Sequence, residues 1–158
     1  MGRCLEYIAP NTRMRDLAAA TIMSHTDTLE SYIRRMELAH EQLDDATWLI
    51  SPGNLRHTQI VVKIQEPIVL FSTPVFELAD DTPDQEALFR TLLELNEELL
   101  HCAYGLQDRQ LVLSGAHPVE TLDFNEFQAM IDDMSMSLDS HLGTIARWRP
   151  TPKAQEAT

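Results

Sequence analysis

Phe127, Ile131, Met134, Leu138, Leu142 and Ile145 recur at steps of three and four residues, so a 3.6-residue helix would place all six on one face. A helix with so continuous an apolar stripe needs an apolar partner surface to be stable in water. Asp123 with Glu126 three residues on forms a capping-box signature that starts this helix, and its end is expected near Arg147.

Two further helices are predicted. One runs from Pro83 to Leu100, with Thr82 as N-cap, Pro83 at the first helical position and Gln85 completing a capping box. Leu88, Leu92, Leu95 and Leu99 form its apolar row, and Leu93 and Leu100 widen the stripe. The other starts near Thr26-Asp27-Thr28 and runs to about Gln42, carrying Leu29, Tyr32, Ile33, Met36 and Leu43.

The partner surface comes from segments that alternate with period two. Ile60, Val62 and Ile64 share one face of a strand ending at Gln65, Glu66-Pro67 interrupts the ladder, and Ile68 to Thr73 resumes it as a hairpin. Pro74 bends or ends that strand, and Val75, Phe76 and Leu78 continue its apolar character. Thr47 to Ile50 is a short strand between turn signals, and His101 to Leu106 and Gln110 to Gly115 make a second hairpin around Gln107-Asp108-Arg109.

The resulting order is α-β-β-β-α-β-β-α, an α+β class with an antiparallel β-sheet of about five strands packed by helices. A chain of 158 residues suits one such domain, expected over residues 26–148. Residues 1–25 are expected as a partly ordered N-terminal arm, with a weak helical pattern from Arg15 to Met23, and residues 149–158 as a disordered tail.

Charge excludes several functions. Twelve Lys and Arg against 25 Asp and Glu give a formal net charge of −13, a field that repels phosphate backbones and anionic lipid, so neither nucleic acid nor membrane is an expected partner. The N-terminal residues lack the apolar core of a secretory signal, and a cytoplasmic location is expected. Cys4 and Cys102 form no CxxC or Cys/His cluster and read as reduced, structural residues.

No catalytic constellation is legible. The six histidines show neither HxxxH nor HExxH spacing, and adjacent carboxylates at Asp132-Asp133 and Glu97-Glu98 diverge by about 100° on a helix. No phosphate-binding glycine loop or nucleophile elbow occurs. The chain is therefore read as a non-enzyme with no catalytic, cofactor or metal residues. Met136 departs from the stripe of the last helix and, with Phe124, suggests an apolar strip on a second surface. Phe71, Val75, Phe76, Leu111 and Leu113 complete the candidate partner or dimer surface.

From Pro67 to Leu142 the chain resembles the type III secretion chaperone-like family, the fold of the CesT and Tir chaperones, together with the related YbjN-like proteins. The resemblance is carried by the LLxLN helix Ala87 to Asn96, the hairpin around Tyr104-Gly105-Leu106 and Gln110 to Leu113, and Leu122-Asp123-Phe124 opening a terminal amphipathic helix. It implies a homodimer that holds an extended segment of a client protein by strand addition and apolar pockets, without catalysis. The YbjN-like alternative implies a regulatory protein that binds a small ligand or a regulatory partner.

Overall fold

The computed structural model describes residues 12–150. Ten elements follow in order: α1 (Thr12–Arg35), β1 (Ala39–Asp44), β2 (Thr47–Ser51), β3 (Ile60–Gln65), β4 (Ile68–Glu77), α2 (Gln85–Asn96), β5 (Ala103–Gln107), β6 (Gln110–Pro118), α3 (Phe124–Ile145) and a 3-10 turn, Ala146–Trp148. All six strands form one antiparallel sheet in the order β1-β2-β3-β4-β6-β5, so the fold is α+β as expected.

The register sorts the side chains. Direct pairs fall on one face, and Trp48, Val62, Phe71 and Gly115 oppose one another strand by strand, as do Ile50 and Ile60, and Thr73 and Leu113. This face meets α3 and α1. Phe71 and Phe127 rings lie 5.6 Å apart, and Tyr32 of α1 sits 5.9 Å from Phe127. Phe127, Ile131, Met134, Leu138 and Ile145 are buried as the stripe requires, each worth roughly 1.5–3 kcal/mol in transfer terms. Asp123 and Glu126 form the expected reciprocal capping box.

The N-terminal region departs from the sequence expectation. Part of the supposed arm is helix, since α1 starts at Thr12; residues 1–11 lie outside the described region, as do 151–158 of the expected tail. The helix stops at Arg35 and not near Gln42, because Glu37 takes a left-handed φ of 55° and redirects the chain. Residues 39–44 then form a sixth strand, β1, where a helix was expected. Its return into β2 is held by the Asp44 carboxylate, which accepts the Ala46 N–H at 2.9 Å.

Two other boundaries move. The N-cap of α2 is Asp84 and not Thr82, and the helix ends at Asn96, short of Leu100. Thr82 is buried and its hydroxyl has no hydrogen-bond partner. In β4 the register shifts between Pro74 and Phe76, a bulge at the proline that lets the strand continue to Glu77.

Gly115 and Gly143 separate two roles for glycine. A Cβ on Gly115 would collide with the backbone carbonyl oxygen of His101 and with Met130 Cε, while one on Gly143 would make an ordinary 3.5 Å contact with Arg56 Nη2. Gly115→Ala is predicted to lower stability by about 1–3 kcal/mol through overpacking. Gly143→Ala, in the exposed part of α3, is predicted to raise it by up to about 1 kcal/mol through helix propensity. Urea unfolding midpoints of the two variants should move in opposite directions.

Candidate functional site

Among the described residues no group of three or more His, Cys, Asp and Glu side chains could hold a metal ion. His25 pairs with Glu66 at 2.7 Å, His117 with Glu126 at 3.3 Å, and His40 Nδ1 contacts the Leu38 carbonyl. His57 and His101 are exposed.

His141 is different, and sequence spacing did not reveal it. It is buried on α3, with Nδ1 3.1 Å from the Tyr104 hydroxyl and Nε2 3.4 Å from a Glu98 carboxylate oxygen. With Tyr104 donating, Nδ1 accepts one hydrogen bond, and Nε2 lies beside the Glu98 carboxylate. The arrangement ties α3 to β5 and to the segment after α2. Burial pushes the Tyr104 phenol far above its ordinary range, with Cys102 adding to the shift, so the phenol keeps the proton it donates.

Cys102 occupies a similar joint. Its Sγ lies 3.5 Å from Asp133 Oδ2, and the same carboxylate accepts the His101 N–H at 2.9 Å. Burial, then the Asp133 charge, push the thiol up to about 12, the opposite of nucleophile activation. Asp133 thus fastens the chain at the entry to β5.

The two sheet edges are treated unequally. On β5 the Asn96 side chain acts as a one-residue strand: its Oδ1 accepts the Tyr104 N–H at 2.7 Å and its Nδ2 donates to the Tyr104 carbonyl at 3.3 Å. The edge is blocked at its second residue. β1 carries no such cover. All six of its residues are exposed, and among the described residues no backbone hydrogen bond crosses its outer edge. Beside it lies a hollow of about 500 Å³ between α1 and the β1–β2 turn, lined by Ala19, Met23, Thr26, Asp27, Gln42, Asp45 and Ala46.

A second exposed apolar feature lies on α2. Phe89 is 39% and Leu93 69% exposed, one turn apart, in a shallow depression rimmed by Glu86, Arg90, Glu94 and Glu97. Leu93 and Leu100 were expected to widen the buried stripe, but both are exposed: Leu88 and Leu92, with Ala87 and Leu95 partly buried beside them, form the packed face of α2, and Leu100 lies beyond its end.

The candidate surface read from sequence is mostly interior. Phe71 and Leu113 are fully buried, and Leu111 and Phe76 nearly so, because they belong to the sheet face covered by the helices; this corrects their assignment as surface. Val75 is half-buried. Phe124 is half-buried against Tyr32, with the Arg35 guanidinium 3.8 Å over its ring. Met136 alone is widely open, at 70%. These seven residues form no common patch, and the exposed edge β1 was missed because its sequence reads as helix.

The CesT_Tir_1 family model matches residues 22–149, from within α1 to the end of the 3-10 turn. The chain belongs to this family. The CesT_Tir_1 match leaves out the first part of α1, so the edge β1, the depression on α2 and the His141 joint all lie inside it. Comparison with curated protein sequences finds no match. Among solved structures, a chain of the heterodimeric ExoU-SpcU complex from the type III secretion system of Pseudomonas aeruginosa has a TM-score of 0.56 at 18% identity, over 77% of this chain and 98% of that one. YbjN from E. coli has a TM-score of 0.56 at 16% identity, over 75% and 92%. A chain of the HopA1-SchA chaperone-effector complex has a TM-score of 0.54 at 17% identity, over 82% and 96%. At these identities the likeness is one of fold.

The Cys102 environment has a pH consequence. The folded protein holds the thiol proton to about 12 against an ordinary value of 9.0, so between those values the native state binds more protons than the unfolded state. The stabilisation is complete below pH 9 and is lost as pH rises toward 12, with Tyr104 acting in the same direction. In a Cys4→Ser background, the urea midpoint should hold steady from about pH 7 to 8.5 and fall above about 9. Cys102 should resist a thiol reagent at pH 8 until the protein is unfolded.

Proposed function

We propose that this chain is a non-catalytic protein-binding module that holds an extended segment of a client protein, with β1 as the strand to which the client is added. The open β1 edge carries the reading. A strand's outer N–H and C=O groups are the recognition element for an extended peptide, and alternate side chains of that peptide need apolar recesses nearby. The hollow beside Met23 and Ala19 is such a recess. At the opposite edge Asn96 already occupies the Tyr104 backbone groups, so the sheet offers a client one side and not the other.

Membership of the CesT_Tir_1 family and the fold shared with chains of two type III secretion complexes support the reading. Among the described residues no helix is long and apolar enough to cross a membrane. The proposed site of action is the cytoplasm.

The same reading includes a homodimer, with Phe89 and Leu93 of α2 as its contact. An antiparallel pair of α2 helices with the twofold axis near residue 92 sets Arg90 of each copy opposite Glu94 of the other. A closed, self-complementary contact of this kind buries the apolar pair and leaves β1 free.

Leu93→Glu should convert a dimer to a monomer in sedimentation velocity while the circular dichroism spectrum is kept. Met23→Asp combined with Leu43→Asp should weaken capture of a client segment by about tenfold or more, roughly 1.4 kcal/mol, because both residues are exposed beside the edge. Titration of the purified client segment measures this. An unchanged dissociation constant would remove β1 as the docking strand.

A further inference from the structure

Against a net charge of −13, one end of the molecule carries cations without acid partners. Arg109 is committed: its guanidinium donates to the Leu78 carbonyl and pairs with Asp80. Arg147 lies 3.8 Å over the Trp148 ring. Among the described residues, neither Arg56 nor Arg149 makes an ion pair, and neither does His57.

Arg56 and Arg149 flank two adjoining cavities of about 300 and 310 Å³ that share Leu142. Leu49, Val61 and Val75 help line the first, Phe76 and Ile145 the second. The cleft thus combines apolar recesses with two free guanidiniums at the junction of the β2–β3 loop, the β4 bulge and the end of α3.

The loop that carries Arg56 is preorganised. Asp139 of α3 accepts the N–H groups of Leu55 at 3.2 Å and Arg56 at 3.1 Å. The Asn54 side chain donates to the Ser135 carbonyl and accepts the Thr58 N–H. Arg56 Nη2 lies over Gly143, within van der Waals reach of where a Cβ would stand. Two opposing charges are nearby, but the Asp139 carboxylate is taken up by backbone donors, and the end of α3 contributes about half a negative charge against two whole positive ones. Helix-end compensation accounts for the sign of Arg149 but not for the sharing of an apolar cleft with Arg56.

We propose that this cleft binds an acidic, apolar segment of the client: apolar side chains enter the two cavities, and flanking carboxylates meet Arg56 and Arg149. The inference rests on the client-binding reading and names the chemistry of a second contact, away from β1. Guanidinium–carboxylate pairing is bidentate and directional. The acidic surface elsewhere turns such a segment away, so this end of the molecule is where it can land.

The test uses the full chain and three fluorescein-labelled nonapeptides in which leucine alternates with glutamate, glutamine or lysine, followed by fluorescence anisotropy. At about 50 mM salt the Leu–Glu peptide should bind about tenfold more tightly than the Leu–Gln peptide, and the preference should shrink at about 500 mM. Arg56→Gln with Arg149→Gln should bring Leu–Glu binding down to the Leu–Gln level; both side chains are exposed, and circular dichroism checks that the fold is kept. A Leu–Glu preference that survives the double variant, or no preference at all, overturns the inference. If the Leu–Lys peptide is captured in a way that Met23→Asp with Leu43→Asp abolishes while Leu–Glu is ignored, the cleft is wrong and the β1 reading stands. If none of the three binds, both are wrong.

Discussion

The packing of the α3 ridge on the Phe71 face of the sheet is the contact on which the other elements depend. Phe127 meets Phe71 and Tyr32, and so joins β4, α1 and α3 in one interior. Met130 closes over Gly115, where even a methyl group would strike the His101 backbone. That close approach is what lets the segment after α2 run back beneath α3 and deliver β5 to the sheet. Removing volume here would cost several kcal/mol, a large share of the stability of a domain of this size.

With α1 and α3 spent on one sheet face, what remains for a partner is decided at the periphery. Asn96 closes the β5 edge, whereas nothing among the described residues closes β1, and the chain reaches β1 through a left-handed residue, Glu37, that also ends α1. The three joints made by Asp133, His141 and Asp139 hold the other connections to α3. The molecule is thus stiff around α3 and open along one edge, an arrangement suited to receiving a strand without remodelling its own core.

Much of the fold was legible because it rests on periodicity and caps. The α3 stripe, its capping box, and the β3–β4 and β5–β6 hairpins all follow from spacing and turn residues. β1 was not legible: Met36 to Leu43 contains no glycine or proline, is rich in helix formers, and places Leu43 in step with Met36, so only the Glu37 backbone reverses the reading. The surface was misread for a related reason. An apolar residue in a strand announces burial and not the side from which it is covered, so sequence does not separate Phe71, Phe76, Leu111 and Leu113, which the helices cover, from a free apolar surface. The useful features, Phe89 and Leu93 on α2 and the unpaired Arg56 and Arg149, depend on which helix face is left over and which cations find an acid, and both are tertiary facts.

What matters most is whether a client strand enters at β1 or at β5. Photo-cross-linking from a benzophenone amino acid at position 43 and, separately, at position 106 decides it, since both sites are exposed and sit on opposite edges of the same sheet. The account predicts a covalent adduct with the client from position 43 and none from position 106. An adduct from 106 with none from 43 would place the client on the edge that Asn96 guards and contradict it.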